Sequence, residues 1–266
     1  MQYTATLKKM LSEYGKPIQY YLETHQDYLN MNQLLNKNIT IEFDAYECLS
    51  CGKNKKIFRQ GHCYDCFVKS AQVGDWIMKP ELSKAHLDIA DRDLEYEKSV
   101  QLQPHIVYLA TSSNLKVGVT RKTQVPTRWI DQGASKAIAM LETPNRYLAG
   151  IAEVALKDYV SDKTSWQKML KNEVVDFNLV EEMHRLYQYL PQETKEFFLS
   201  QNTDVFEMEF PVLQYPTKIK SLNLQKSPII QGKLKGIKGQ YLLFENGSVF
   251  NVRNNEGNVV RISIAE

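Results

Sequence analysis

Four cysteines, the only ones in the chain, fall within nineteen residues. They form two Cys-x-x-Cys pairs separated by eleven residues: Cys48, Cys51, Cys63 and Cys66. A two-residue gap lets a tight turn direct both thiolates at one point, and two such turns supply the four ligands of a tetrahedral site. The spacing therefore predicts one structural Zn²⁺ ion. Because four thiolates leave no position for a catalytic water, the predicted role of this metal is structural rather than catalytic.

Other interpretations of the cluster agree less well with this spacing. A redox dithiol needs one Cys-x-x-Cys pair rather than two. His62 is a competing ligand, but it adjoins Cys63 and would break the symmetry of the pairs. The loop between the pairs is basic and has no acid, so it either contacts phosphates or is a solvated loop. Its basic residues are Lys53, Lys55, Lys56 and Arg59.

The composition, 43% apolar and 24% charged residues, is typical of a folded globular protein. No apolar run approaches the roughly 18 residues of a membrane span, and residues 1–5 lack the pattern of a secretory signal. We therefore expect a cytoplasmic protein, in which clustered cysteines bind metal rather than form disulfides. The net charge of +2 is too small to indicate a nucleic-acid partner.

Hydrophobic spacing predicts an α+β fold. Leu7, Met10, Leu11 and Tyr14 have helical spacing, and residues 39–43, 105–110 and 115–119 alternate as strands do. Helices are predicted at residues 126–130, 146 to about 170, and 179–200. From residue 205 onward the chain alternates between short strands and turns. Three domains follow from this pattern: residues 1–71 with the zinc ribbon, 72–202 with a mixed sheet and helices, and 203–266 as a β-barrel-like module.

The C-terminal module has a basic stretch. Residues 218–238 contain six lysines and no acid: Lys218, Lys220, Lys226, Lys233, Lys235 and Lys238. With the aromatic residues Tyr241 and Phe244, such a face can bind single-stranded nucleic acid through phosphates and stacking. Lysines on edge strands also prevent aggregation. Both interpretations remain open from the sequence.

The central segment contains polar residues in a specific order. An apolar strand reaches Tyr108, Lys116-Val117-Gly118 lies on the next strand, Arg128 is on a predicted helix, and Glu153 is on a later one. This order resembles the GIY-YIG endonuclease superfamily, with residues 106–108 in place of the first motif and 116–118 in place of the second. The resemblance implies a GIY-YIG-like sheet and a metal-dependent phosphodiesterase.

The resemblance also implies roles for these residues. Glu153 would hold Mg²⁺ or Mn²⁺, Arg128 would clamp the scissile phosphate, and Tyr108 would orient or deprotonate a water. Lys116 replaces the second tyrosine of the superfamily. Arg121 is a rival for the arginine role, and with Lys122 it is a candidate nucleic-acid contact.

Purely structural roles are the alternative for the same residues. Tyr108 is then an ordinary strand tyrosine. Arg128 is a structural partner of Asp131 or Glu142, and Glu153 belongs to a buried ion pair, for which Arg128 is the natural partner.

A second resemblance covers most of the chain. The runs at residues 103–110, 115–122 and 124–134, together with the cysteine ribbon and residues 236–244, look like an uncharacterised bacterial family, domain-of-unknown-function family 2797. Some members carry additional cysteines where this chain has other residues, such as Trp76 and Ser83. A second metal site near His86 and His105 is therefore left open.

Three functions are consistent with the sequence. The first is a nucleic-acid-processing phosphodiesterase that acts on DNA or RNA. The second is a catalytically inactive zinc-containing module that binds nucleic acid, and the third is a zinc-stapled protein-interaction factor. Only the first two predict binding that weakens steeply with salt.

Overall fold

A computed structural model describes residues 1–160 and 165–265. The chain divides into two compact units. The first unit comprises residues 1–68, 130–133 and 208–266, and the second comprises residues 69–129 and 134–207. Among the described residues, no helix is both long and apolar enough to span a bilayer.

The strands, in chain order, are β1 (Gln2–Thr6), β2 (Leu11–Glu13), β3 (Gln19–Glu23), β4 (Tyr28–Asn30), β5 (Asn38–Tyr46), β6 (Ile57–Arg59), β7 (His62–Cys63), β8 (His105–Thr111), β9 (Leu115–Arg121), β10 (Lys136–Thr143), β11 (Phe206–Glu207), β12 (Lys220–Leu222), β13 (Ile229–Lys238), β14 (Tyr241–Phe244), β15 (Ser248–Asn251) and β16 (Asn258–Ala265). The α-helices are α1 (Tyr64–Lys69), α2 (Leu94–Gln101), α3 (Thr127–Asp131), α4 (Arg146–Lys157), α5 (Trp166–Leu170) and α6 (Leu179–Leu186).

The first unit is built on a seven-stranded sheet in the order β1-β16-β5-β13-β14-β15-β12. Neighbouring strands are antiparallel except β12 and β15, which are parallel. Strand β5 lies between β16 and β13, and its Ile39 and Ile41 alternate into the core. The described residues form no closed barrel, so the barrel-like module expected at residues 203–266 is instead part of an open sheet. The predicted first and third domains differ from the observed units because strands from both share this sheet.

The helix expected near residues 7–14 is absent, and this prediction was wrong. Leu7 and Met10 are buried as expected, but they lie between strands β1 and β2. The side-chain amide of Gln240 replaces helical hydrogen bonds here, since its Oε1 accepts from Met10 N at 2.8 Å and its Nε2 donates to Met10 O at 3.1 Å. Four apolar residues at helical spacing cannot show that a distant glutamine will satisfy the backbone.

The second unit contains a four-stranded sheet in the order β11-β10-β8-β9. The predicted strands at residues 105–110 and 115–119 are confirmed as the hairpin β8–β9. All pairs in this sheet are antiparallel, so the expected mixed sheet is corrected. One sheet face packs on α4 and α6 in a core that includes Val107, Leu109, Ile138, Ala152 and Met183.

The helix predicted at residues 126–130 is confirmed as α3, whereas the other two predicted helices are shorter in the structure. Helix α4 begins after Asn145, whose Oδ1 accepts from Leu148 N at 3.0 Å, and it ends at Lys157. Residues 161–164 of the expected 146–170 helix lie outside the described residues. In the 179–200 region, α6 is followed by 3₁₀ turns on both sides of Pro191, which cannot donate a backbone hydrogen bond.

Candidate functional site

The four cysteines lie together in the first unit. Their Sγ atoms are all within 4.8 Å of one another. Backbone hydrogen bonds fold the first pair onto the second: Cys48 N donates to Lys53 O at 3.1 Å, and Leu49 N donates to Gly61 O at 2.9 Å. Gly61 has φ of +73°, and a Cβ atom there would lie 2.4 Å from Leu49 Cδ1, so the turn requires glycine.

The donor set fits a soft divalent ion. Cys63 N donates to Cys48 Sγ at 3.3 Å. Burial raises the pKa of Cys48, but hydrogen bonds from the backbone of Cys63, Cys51 and Ser50 outweigh it and bring the pKa to about 6. The thiolate is the form that binds metal. The four cysteines lie close enough together to hold a metal ion such as zinc.

His62 is not a member of this group. Its Nδ1 lies 2.6 Å from the carbonyl oxygen of Gln60, which holds the ring at the β6–β7 turn. Among the described residues, the cysteines form the only group of three or more ligand side chains. His105 Nδ1 is likewise bound to the Gln103 carbonyl at 2.7 Å, and His86 stacks on Tyr147 with ring centroids 4.6 Å apart. These contacts account for one ring nitrogen of His105 and one ring face of His86, and His105 Nε2 is buried without a hydrogen bond to any described residue.

Aromatic and basic side chains surround the cysteines at the surface. Phe58 is 48% exposed and Tyr64 is 62% exposed, and their ring centroids lie 5.3 Å apart. The Arg59 guanidinium lies over the Phe58 ring at 5.5 Å. Lys53, Lys55 and Lys56 are also exposed. We call this set (Lys53, Lys55, Lys56, Phe58, Arg59 and Tyr64) the hairpin surface.

The second unit brings charged residues together around α4 and β9. Lys116 is only 8% exposed. Burial, and after it the charge of Arg128, lower the pKa of Lys116 to about 8 against the opposing charge of Glu153. Two of the predicted catalytic residues, Arg128 and Glu153, are thus each within electrostatic range of a third, Lys116.

Glu153 is a buried carboxylate, 9% exposed. Burial raises its pKa, whereas Lys157 and Arg146 lower it and Glu81 raises it. Its Oε2 lies 3.6 Å from Lys157 Nζ, which is an ion pair but too long for a hydrogen bond, and no described residue hydrogen bonds to that oxygen. The Oε2 atom of Glu81 is also buried and also lacks a hydrogen bond from any described residue. We call Glu81, Lys116, Arg128, Arg146 and Glu153 the charged cluster.

Arg146 and Glu81 reach this cluster from different elements. Arg146, at the start of α4, donates from Nε to Trp76 O at 3.1 Å and from Nη2 to Ile77 O at 2.8 Å. Burial lowers its pKa to about 10; Glu153 and Glu81 oppose this, and Arg121 and Arg128 add to it. Gly150 lets the chain at Pro80–Glu81 lie directly on α4, because a Cβ atom there would lie 2.2 Å from Glu81 N.

Tyr108 is 1% exposed and lies on the sheet face away from α4. The strand register places Lys116 on the same face, because both residues alternate with core residues such as Leu109 and Val117. It is paired with Gly118 across the hairpin, and a Cβ atom on Gly118 would lie 2.5 Å from the Tyr108 hydroxyl. The Tyr108 ring also meets the edge of Trp129 at 5.7 Å. The structure therefore explains Gly118 by the space that Tyr108 occupies.

Residues 36–260 match the model of a protein family described as "Protein of unknown function (DUF2797)". The chain belongs to this family. Searches of curated proteins and of solved structures gave no match. In this DUF2797 protein, the matched residues include both the cysteines and the charged cluster.

The predicted nucleic-acid contacts of this DUF2797 protein are dispersed. Lys218 and Lys220 lie at the β12 edge, exposed to solvent, while Lys233 and Lys235 lie on β13. Strands β14 and β15 separate them, which is about 14 Å at ordinary strand spacing. Lys238 and Phe244 are buried, so the basic stretch does not form one continuous face with its aromatic residues.

The remaining predicted contacts lie near β9. Arg121 is half-buried and within electrostatic range of Arg146. Lys122 is exposed, and its Nζ bonds Glu142 Oε1 at 2.7 Å. Asp131, the other suggested partner of Arg128, bonds Lys9 at 2.6 Å.

Sequence reasoning missed Glu81 and Arg146. Both lie in segments without a motif, and only folding brings Glu81 next to α4. A weak signal existed for Arg146, because an arginine in the first turn of a helix is unfavourable for the helix dipole and calls for another role.

Proposed function

We propose that this protein processes nucleic acid as a divalent-metal-dependent phosphodiesterase with a GIY-YIG-like site. One observation carries the proposal: the buried carboxylate Glu153 has an Oε2 that accepts no hydrogen bond and lies 3.6 Å from Lys157 Nζ, and it also interacts electrostatically with Lys116 and Arg146. Phosphodiester cleavage needs a cation-rich site of this kind, because negative charge builds up on the phosphate and on the leaving oxygen.

Glu153 would hold Mg²⁺ or Mn²⁺, with Glu81 as a neighbouring carboxylate. Hard cations prefer carboxylate oxygens, and each of these residues has a buried Oε2 without a hydrogen bond. When bound, the metal would neutralise phosphate charge and stabilise the leaving oxygen.

Arg128 is the phosphate clamp of the proposal. Arg146 is held by the carbonyls of Trp76 and Ile77, so its guanidinium supplies a fixed positive charge. Arg128 is half-buried on the short helix α3, and its charge acts on both Lys116 and Arg146. It would donate to the non-bridging phosphate oxygens and follow them as the phosphorus becomes pentacoordinate.

Lys116 is the general base of the proposal. With a pKa of about 8, roughly a tenth of this amine is neutral at pH 7, which suits proton abstraction. The neutral amine would take a proton from the attacking water as the new P–O bond forms and the bond to the leaving oxygen breaks. Tyr108, at 1% exposure, would support the hairpin that positions Lys116 rather than meet the water.

The test is cleavage of duplex DNA, branched DNA, single strands and structured RNA with Mg²⁺ or Mn²⁺. Glu153→Gln keeps the size of the side chain, and Glu181→Gln, at an exposed position on α6, is the matched control. We expect cleavage by the wild type and by Glu181→Gln and a loss of at least about 100-fold in Glu153→Gln, as for other transition-state electrostatic groups. Cleavage by Glu153→Gln at the wild-type rate would overturn the assignment of the metal site.

A second candidate is nucleic-acid binding without cleavage, which the hairpin surface favours. Exposed rings among cations can stack on bases while the cations contact phosphates. We expect single-stranded binding that weakens steeply with salt and that Phe58→Ala weakens at least about tenfold. Val68→Ala, also exposed but outside the hairpin surface, is the control. Absence of binding to any nucleic acid would favour a protein-interaction factor.

A further inference from the structure

A cavity of about 670 Å³ lies in the second unit, on the sheet face opposite α4 and α6. Its walls are apolar and partly aromatic: Ile106, Val125, Trp129, Phe198, Leu199 and Phe206. Its size falls within the usual range of small-molecule sites, about 300–1,000 Å³. Nothing in the proposed phosphodiesterase chemistry uses this cavity.

The sheet creates the space through small side chains and a bulge. Ala139 on β10 faces the cavity beside Tyr108, its partner on β8. The register shifts between Ala139 and Leu141, an irregularity of the kind that re-aims side chains near functional sites. Trp129 and Phe206 meet edge to face with centroids 5.2 Å apart, and they form an aromatic corner.

Polar groups occur at the cavity rim and make it acidic. Lys122 bonds Glu142 at 2.7 Å, so these two charges neutralise each other. Asp204 adds a carboxylate to which no described residue donates from its side chain. Asn202 fixes the rim, since its Nδ2 donates to Ala139 O at 2.8 Å and its Oδ1 accepts from Asp204 N at 3.0 Å.

We infer that this cavity binds a single amino-bearing nucleobase. Phe198 and Phe206 are partly exposed and offer rings for stacking, while the fully buried Trp129 supports Phe206 from behind. A carboxylate accepts hydrogen bonds from an exocyclic amine, as it does from cytosine. A negative rim excludes anionic ligands such as fatty acids. The cavity chemistry alone favours a planar heterocycle with an amino group. The narrower choice of a nucleobase rests on the proposed function.

The experiment measures binding of free nucleosides to the full chain by calorimetry, without any cleavage. Adenosine with inosine and cytidine with uridine are matched pairs, because each pair exchanges an amino group for a carbonyl oxygen. We expect saturable binding of adenosine or cytidine at roughly micromolar to millimolar concentrations and at least about tenfold weaker binding of the partner nucleoside.

Two variants locate the binding. Ala139→Leu fills the cavity and should abolish binding of every nucleoside, and Asp204→Asn should remove the preference for the amino group. Asp204 is exposed, so this variant is expected to fold even if Ala139→Leu is unstable. Asp158→Asn, exposed and outside the cavity, is the control and should bind as the wild type does.

Several results would overturn the inference. These are no saturable binding of any nucleoside, equal binding within both matched pairs, or an unchanged preference in Asp204→Asn. Cleavage activity separates this failure from that of the proposed function. A protein that cleaves nucleic acid but binds no nucleoside refutes the cavity assignment alone, and one that binds nucleosides but never cleaves refutes the phosphodiesterase alone.

Discussion

The cysteine group and the charged cluster differ in how the chain assembles them. All four cysteines come from nineteen consecutive residues, and two tight turns with Gly52 and Gly61 at positive φ bring them together. The charged cluster draws Glu81, Lys116 and Glu153 from a 3₁₀ turn, a strand and an α-helix. The first site is encoded by local spacing, whereas the second depends on the packing of a whole unit. Substitutions of the cysteines should therefore affect the first unit locally, whereas substitutions that disturb the packing on α4 should affect the second unit.

The largest expected effect is on the cysteine group. Cys63→Ser removes a buried ligand, and structural Zn²⁺ contributes about 10–16 kcal/mol of apparent binding free energy in small metal-dependent folds. We expect the wild type to contain one zinc per chain, and we expect the variant to lose the metal and the amide protection of residues 48–66. Metal analysis and hydrogen exchange measure this.

Asn54→Ala is the matched control, because Asn54 is exposed in the loop between the two cysteine pairs. Protection of β8–β10 should persist in both variants. Full protection of residues 48–66 in metal-free protein would show that the hairpin does not depend on its ligands.

The next effect tests the packing of the second unit. In Gly150→Ala the new Cβ would lie 2.2–2.8 Å from backbone atoms of Pro80 and Glu81. Overpacking against backbone costs about 3 kcal/mol or more, which exceeds the gain of about 1 kcal/mol in helix propensity. Urea unfolding measures the loss. Ala155→Gly on the same helix should cost only about 1 kcal/mol, and a Gly150→Ala protein as stable as the wild type would refute the close approach.

A smaller effect concerns the buried amine. The pKa of Lys116 is about 8 in the folded chain against 10.5 ordinarily. Between pH 8 and 10.5 the unfolded chain binds more protons than the folded chain does, so the stability of the wild type rises with pH in this range. Lys116→Met should therefore be more stable than the wild type at pH 7, by up to about 3 kcal/mol, and this advantage should vanish near pH 10.5.

The measurement is the difference in unfolding free energy between the two proteins from pH 7 to 10.5. Lys122→Met, at an exposed position, controls for the change of side chain. If the extra stability of Lys116→Met stays constant with pH, the burial of the Lys116 charge is not its source.

The smallest effects compare two surface ion pairs. Lys55 and Asp65 are 2.7 Å apart and both largely exposed, so Lys55→Ala should change stability by less than about 0.5 kcal/mol. The side chain of Asp131 is only 4% exposed beside Lys9, so Lys9→Ala should cost roughly 1–2 kcal/mol more. Equal losses of stability in Lys55→Ala and Lys9→Ala, measured by thermal unfolding, would contradict a role for the difference in burial.

Much of the local structure could be predicted from the sequence. The cysteine spacing and the β8–β9 hairpin follow from short-range rules that need no tertiary information. The seven-stranded sheet does not, because β5 pairs with β13 and β16, and alternation specifies a strand but not its distant partner.

The same limit applies to the charged cluster and the lysines. Lys116 and Glu153 were identified by order along the chain, but Glu81 became visible only through its packing on Gly150. Lys238 looked like one of six surface cations. It is fully buried between Phe210 and Tyr215, because the strand directs it inward, and spacing alone could not show this.

The central position of β5 has a consequence during synthesis. Its two neighbouring strands are encoded after residue 228, so β5 waits for more than 180 further residues, from 47 to 228, before its partners exist. At roughly 5–20 residues per second this wait lasts about 10–40 s. During that time Ile39 and Ile41 lie on an unpaired strand edge of the nascent polypeptide. We expect a chain truncated after residue 210 and released from the ribosome to bind chaperones, whereas its second unit, complete by residue 207, can already fold.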